Sequence, residues 1–334
     1  MARTLARAGT VAMVIALLTL AAACSAESAP PVAVTAPGPT VSPKPVATVQ
    51  PTATPEPAAP GLCDAGSLIA IWAHYDDDLI FGHSRVAEAL DAGWCVTIAY
   101  LSAGDAGRGV DYSRGREAGI REAYNTLRGY DGNWEESTDV LETGVTVEEW
   151  VPTTDPRLSL LSFRLVDGNI NGNGFESMGF ESLAKLAAGT IPTIRDVDGP
   201  QQLTLDDITH SLVEIIADAE PDAVLTGMPL EAGDLALGDH SDHSATASFA
   251  RSSWRSLGID AARVTHAIGY QTSEYPVNVE GEVLERKVAA FSAYALKDPI
   301  TADCNDLNSC LNLPAFGAWL QREYAKNAAE LNLH

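Results

Sequence analysis

The sequence predicts an α/β fold, a Rossmann-like, mainly parallel sheet flanked by helices, in one domain over residues 61–334. Residues 67–73 (SLIAIWA), 94–101 (WCVTIAYL) and 222–227 (DAVLTG) are short, nearly unbroken apolar runs. That is the pattern of strands buried on both faces of a parallel sheet. Segments with helical periodicity alternate with these runs, as in βαβ units. Each run is followed at once by a polar cluster, where an open parallel sheet keeps its functional crevice.

The elements follow in order. Residues 84–92 read as a helix stopped by Gly93. Residues 114–128 form a helix with Ile120, Tyr124 and Leu127 on one face. Residues 133–165 mix strand-like pieces with loops. A helix over 205–219 carries the stripe Ile208, Leu212, Ile215 and Ile216; Thr204 and Asp207 form a capping pair, and Pro221 ends it. A helix starts near His243, a strand covers 264–270, and a last helix is expected over 315–330.

Of the 334 residues 46% are hydrophobic, enough for a full core, while 21 Lys and Arg against 45 Asp and Glu give a formal charge of −24. Such a surface excludes binding to nucleic-acid backbones, which needs cations, and docking to anionic lipid by charge. The acidity itself reads as a solubility feature.

Residues 1–23 have the layout of an export signal. Arg3 and Arg7 precede the apolar stretch 11–20 (VAMVIALLTL), which is too short for a permanent span, and Ala21, Ala22 and Ala23 precede Cys24. This resembles a bacterial lipoprotein signal, which implies lipidation of Cys24 and an anchor on the outer face of the cell membrane. A secretory peptide cleaved nearby is the alternative. Residues 24–60 form a Pro/Ala/Thr-rich tether; ten prolines and no aromatic residue fall within 25–60. Such a segment has little to bury and favours extended, polyproline-like conformations. With Cys24 lipidated, Cys63, Cys95, Cys304 and Cys310 remain, an even set that reads as two disulfides in an oxidising compartment. The favoured pairs are Cys63–Cys95 and Cys304–Cys310 among three permitted pairings. No CxxC pair is present to favour a zinc knuckle.

Three clusters carry the chemistry. In Ala73-His74-Tyr75-Asp76-Asp77-Asp78, a histidine and three carboxylates crowd one strand end. A divalent cation would offset their repulsion, and His74 and Asp77 are spaced for one tight turn. A solvated acidic turn with Asp78 capping the next helix is the alternative. Residues 102–108 (SAGDAGR) permit close backbone approach, although taken alone they read as an ordinary turn. Residues 238–243 (GDHSDH) place His240 and His243 three apart with Asp242 between them, a source of an imidazole ligand, a supporting carboxylate and a proton donor, with helix capping by Asp242 and exposed histidines the alternative. His83, His210, His266 and His334 lack such company and read as structural or solvated.

AHYDDD, LSAGDAG, RGREAGIREAY and GDHSDHSATA, with LSLLSFRLVDGNINGNGF between the last two, occur in the order seen in the PIG-L (LmbE-like) family of zinc-dependent de-N-acetylases. The chain resembles that family over residues 68–254, matching its AHPDDE and HxDH motifs. The resemblance implies that His74, Asp77 and His243 bind zinc and that Asp76 is the general base. It implies that His240 stabilises the oxyanion or protonates the leaving amine, and that Asp242 orients a histidine. Tyr75 replaces the family's proline, which loosens the turn and offers the site a phenol; Asp78 replaces glutamate. Arg116 and Asp105 are expected substrate contacts, although Arg116 could instead pair with Glu117 or Asp111. Trp134, Trp150 and Phe175 could stack on a sugar, with core packing the alternative.

The implied function is an exported hydrolase removing an acetyl group from an N-acetylated sugar or related amide, with water activated by a metal. Three N/O ligands leave zinc an open position, and Fe2+ or another divalent ion fits the same donors. An amidase for another acyl amide, and a non-catalytic lipid-anchored surface binding protein on the same fold, are the competing readings. No GxSxG nucleophile elbow is present.

Overall fold

The structure is a computed structural model that describes residues 61–333. The signal segment, Cys24 and the tether to residue 60 lie outside the described residues, as does His334. The strands are β1 (Ser67–Trp72), β2 (Cys95–Ser102), β3 (Trp134–Val140), β4 (Thr146–Pro152), β5 (Leu158–Leu165), β6 (Ile194–Arg195), β7 (Gln202–Leu203), β8 (Ala223–Gly227), β9 (Val264–Ala267) and β10 (Ala325–Asn327). The helices are α1 (Asp77–Phe81), α2 (His83–Asp91), α3 (Val110–Arg128), α4 (Leu183–Ala187), α5 (Leu205–Asp218), α6 (Ser241–Ser256), α7 (Gly281–Ala295), α8 (Leu307–Leu311) and α9 (Phe316–Leu320).

Eight strands form one sheet in the order β10-β9-β8-β1-β2-β5-β4-β3. The central five, β9 to β5, are parallel, and β10, β4 and β3 extend the edges antiparallel. The unbroken apolar run of β1 has a direct cause. Leu68, Ala70 and Trp72 enter the core under α2, α3 and α7, while Ile69 and Ile71 enter the opposite core under α5 and α6. A strand covered on both faces has no solvent side on which to alternate. The chain runs outward from β1 through β2 to β5 and later returns to β8 on the other side, so the order reverses at β1. The crevice of an open α/β sheet forms at such a reversal.

One expectation is corrected. Residues 315–330 are not one helix, because α9 stops at Leu320 and the chain becomes the edge strand β10. Gln321 O accepts the N–H groups of Asn278 and Val279, and Arg322 Nε donates to Tyr275 O, so the helix cannot continue. β10 then pairs Ala325 to Asn327 with the open edge of β9. The fully helical α7 is an addition to the expected elements, although Leu284, Val288, Phe291 and Ala295 form its inner stripe at helical spacing. Thr204 and Asp207 do form a reciprocal capping box on α5. Disulfides join Cys63 to Cys95 and Cys304 to Cys310, with Cα–Cα distances of 5.2 and 4.2 Å. The first ties the segment before β1 to the start of β2. Among the described residues no helix is long and apolar enough to cross a membrane.

Candidate active site

The polar clusters converge at the carboxyl ends of β1, β2, β5 and β8. Asp77 opens α1 and folds its carboxylate back over the turn, where Oδ2 accepts the N–H groups of Ala73 (3.1 Å) and His74 (2.8 Å). Its other oxygen, Oδ1, lies 3.0 Å from His243 Nε2. His74 Nδ1 lies 3.2 Å from the same nitrogen and 3.7 Å from Asp77 Oδ2. The two motifs thus meet through His74 and His243, which are 169 positions apart in the chain.

α6 supplies the histidines. His240 is its N-cap, and Nδ1 accepts the Asp242 N–H at 3.2 Å, which places the ring proton on Nε2. His243 Nδ1 donates to Asp239 Oδ1 at 2.9 Å, which leaves Nε2 as a lone pair facing Asp77. Asp242 is fully buried; Oδ2 accepts Gly168 N–H at 2.8 Å and lies 3.6 Å from His74 Nε2. Position 168 must be glycine, because a Cβ there would stand 2.3 Å from Asp242 Oδ1. Asp167, just after β5, closes the far side, 3.9 Å from both His74 Nε2 and His240 Nε2.

The electrostatics call for a cation. Burial pushes the His74 pKa down, but Asp77, Asp242 and Asp167 outweigh it and hold it at about 10. His243 is likewise burdened by burial yet held well above its ordinary value by Asp77 and Asp239. Burial opposes ionisation of Asp77, and the two histidines override it and hold its pKa well below the usual range. Two imidazolium N–H groups cannot point at each other across 3.2 Å, so protons are a poor answer to this demand. One divalent ion among these lone pairs is a good one, and the buried, unpartnered His74 Nε2 and Asp242 Oδ1 sit beside it. Donor atoms of His74, His240 and His243 lie within 4.8 Å of one another, as do those of His74, Asp167, His240 and Asp242. The residues present therefore fit a metal of the zinc type.

Asp76, next in the chain to Asp77, pairs with Arg116. Its Oδ1 receives Arg116 Nη2 at 2.5 Å, and among the described residues Oδ2 has no hydrogen bond. Burial raises the Asp76 pKa, opposed by Arg116 and reinforced by Asp77. His240 is driven down to about 4 by burial and by His74, so it is a neutral Nε2–H donor near pH 7. Tyr270, after β9, stands edge-on to His243 with ring centres 5.2 Å apart and stacks on Trp319 at 4.2 Å, forming one wall.

Several expectations change here. The Tyr75 phenol does not enter the site. It points into the core, 2.7 Å from Ser162 Oγ and 3.2 Å from Glu117 Oε1. Asp78 does not cap a helix but is buried beneath the site, accepting from Tyr100 and Tyr124, with burial raising its pKa to about 7. Asp105 is fully buried and spends both oxygens on backbone, on Asp167 N–H (2.8 Å) and Gly107 N–H (3.0 Å), so it shapes loops rather than meeting substrate. Arg116 pairs with Asp76, not with Glu117 or Asp111. Trp150 is core, Trp134 bonds Asn125, and Phe175 packs on Gly107. Asp167 and Tyr270 join the site without having stood out in the sequence, and their position just after β5 and β9 is their only signal; Asp239 lies within the GDHSDH cluster, where sequence spacing gives it no role.

Fold and site together define a Rossmann-like α/β protein with a His/Asp centre at its strand ends. The chain belongs to the PIG-L family, described as GlcNAc-PI de-N-acetylase, which matches residues 69–254. No curated protein sequence matches it. Similar solved structures include the zinc-inhibited form of teicoplanin deacetylase Orf2, at 15% identity over 73% of this chain and 90% of that one, TM-score 0.44. The A40926 pseudoaglycone deacetylase Dbv21 is 17% identical over 78% and 95%, TM-score 0.42. A conserved protein from Thermus thermophilus is 16% identical over 78% and 93%, TM-score 0.40.

Proposed function

We propose that the protein is an exported, metal-dependent de-N-acetylase acting on an N-acetylated sugar or related amide. The observation that carries the proposal is the meeting of His74 Nδ1, Asp77 Oδ1 and His243 Nε2, with the His240 ring 4.7 Å from that of His74 and Asp76 adjacent to Asp77 in the chain. Those three residues would hold the metal, zinc by family, and the ion would supply Lewis acidity and a more acidic water. Asp76 Oδ2, free of other partners among the described residues, takes the proton of the attacking water. The His240 Nε2–H donates a hydrogen bond to the amide oxygen as negative charge develops on it, a contribution of about 3–4 kcal/mol for one well-placed donor. His240 is neutral and so is a poor source of a full proton. Asp76 therefore returns the proton it took to the departing amine. Asp242 orients His74, and Asp239 orients His243.

The two disulfides support an oxidising compartment, and an anchor at Cys24 would place the domain outside the cell membrane. The test is acetate release from a panel of N-acetylated glycans, with metal content measured on the same preparation. Stoichiometric metal with acetate release is expected. Protein that binds no divalent metal and releases no acetate would overturn the reading.

A further inference from the structure

We infer that Tyr294 and Asp298, which lie beyond the family-matched region, are positioning residues for Asp76. Acting through Arg116, they hold one oxygen of the Asp76 carboxylate fixed so that the other faces the reaction. The reaction's identity rests on the de-N-acetylase reading, whereas the positioning stands on geometry alone.

Arg116 is buried, and each face of its guanidinium has a partner. Nη2 donates to Asp76 Oδ1 at 2.5 Å, Nη1 to Gly104 O at 2.7 Å and Nε to the Tyr294 hydroxyl at 2.5 Å. Because Tyr294 accepts from Arg116, its own hydrogen goes to Asp298 Oδ2, 3.1 Å away. Asp298 Oδ1 receives the Tyr112 hydroxyl at 2.6 Å and the Ile300 N–H at 3.0 Å. Donor and acceptor are thereby fixed at every link from Asp298 to Asp76. A guanidinium is planar and always charged, so fixing its Nε edge also aims its Nη2 corner.

α3 is shaped to let this network form. Gly115 and Gly119 lie one turn apart, and a Cβ on either would stand 2.9 Å from a backbone oxygen of the α7 end, Lys297 O and Tyr294 O respectively. Glycine inside a helix costs about 1 kcal/mol relative to alanine. Here it permits α7 to approach closely enough for Tyr294 and Asp298 to reach Arg116. Gly104 serves the same end, since a Cβ there would stand 2.1 Å from Arg116 Nη1. A lone Asp–Arg pair would leave the long arginine free to swing and carry the carboxylate with it.

The test uses the chain as it exists, loaded with zinc. Tyr294→Phe and Asp298→Asn should each lower kcat about ten- to a hundred-fold, the scale of a misplaced catalytic group, with KM held within about two-fold. In an Arg116→Ala background neither substitution should cost anything further, since the route to Asp76 has gone. Equal losses in both backgrounds, or an unchanged kcat in the Arg116 chain, would overturn the inference. If the unsubstituted chain releases no acetate from any amide, the de-N-acetylase reading fails instead. The positioning is then read without turnover, from the Arg116 Nε–H signal in 15N NMR spectra. Tyr294→Phe, which removes the acceptor of that N–H, should speed its exchange with water, and an exchange rate equal to that of the unsubstituted chain would overturn the inference.

Discussion

Asp239 Oδ1 lies 2.9 Å from His243 Nδ1, and the same oxygen accepts the backbone N–H groups of His240 (2.8 Å) and Tyr270 (3.2 Å). One carboxylate oxygen therefore sets the His243 tautomer and ties the loop before α6 to the segment after β9. Gly269 makes room for it, because a Cβ there would stand 2.1 Å from Asp239. Asp239→Ala should weaken metal binding about ten- to a hundred-fold, the usual cost of losing a carboxylate behind a histidine ligand. Competition with a chelator measures this, and wild-type affinity would remove Asp239 from the centre.

Neighbouring aspartates should behave differently. Asp76→Asn should keep metal and lose turnover by roughly two to four orders of magnitude. Asp77→Ala and His243→Ala should lose metal and turnover together, since two remaining ligands hold zinc poorly. His240→Ala should resemble Asp76→Asn. Metal analysis beside amide hydrolysis decides the matter. Metal loss in Asp76→Asn with retention in Asp77→Ala would reverse the two roles.

Tyr75 stands between a proposed ligand and the proposed base, yet its hydroxyl serves the core. Tyr75→Phe should destabilise the fold by about 1–3 kcal/mol, because it strips a partner from buried Ser162 and Glu117. Metal content and kcat should be unchanged. A loss of turnover without a drop in unfolding temperature would place the phenol in the chemistry after all.

Acid should destabilise the fold through buried histidines outside the proposed ligand set. Burial holds the pKa of His83 and of His266 down to about 4, against an ordinary 6.5. The unfolded chain then binds protons that the folded one refuses. Stability is full above the ordinary value and falls as pH drops from about 6.5 towards about 4, by up to about 1.4 kcal/mol per pH unit for each histidine. Urea unfolding at pH 7, 6 and 5 measures the slope. His83→Gln should flatten it by one histidine's share, and an unchanged slope would exclude His83 as a contributor.

Much of the central architecture was legible in the sequence, and for local reasons. β1 shows itself because both its faces are buried, and α5 because Thr204 and Asp207 cap each other within one turn. His74 and Asp77 announce themselves because Asp77 bonds the backbone of its own turn, so their spacing is a property of that turn. What only the tertiary structure decided depends on partners distant in the chain. Tyr75 faces the core because Ser162 and Glu117 receive its hydroxyl there. The C-terminal segment leaves helix for strand because β9 offers an unpaired edge, and backbone pairing there outweighs weak local propensity. Arg116 meets Tyr294 across 178 positions only because two glycines let α3 and α7 close on each other. Spacing along a chain records the interactions a residue makes within its own turn or strand; it holds no record of which side chain packing will bring against it from elsewhere.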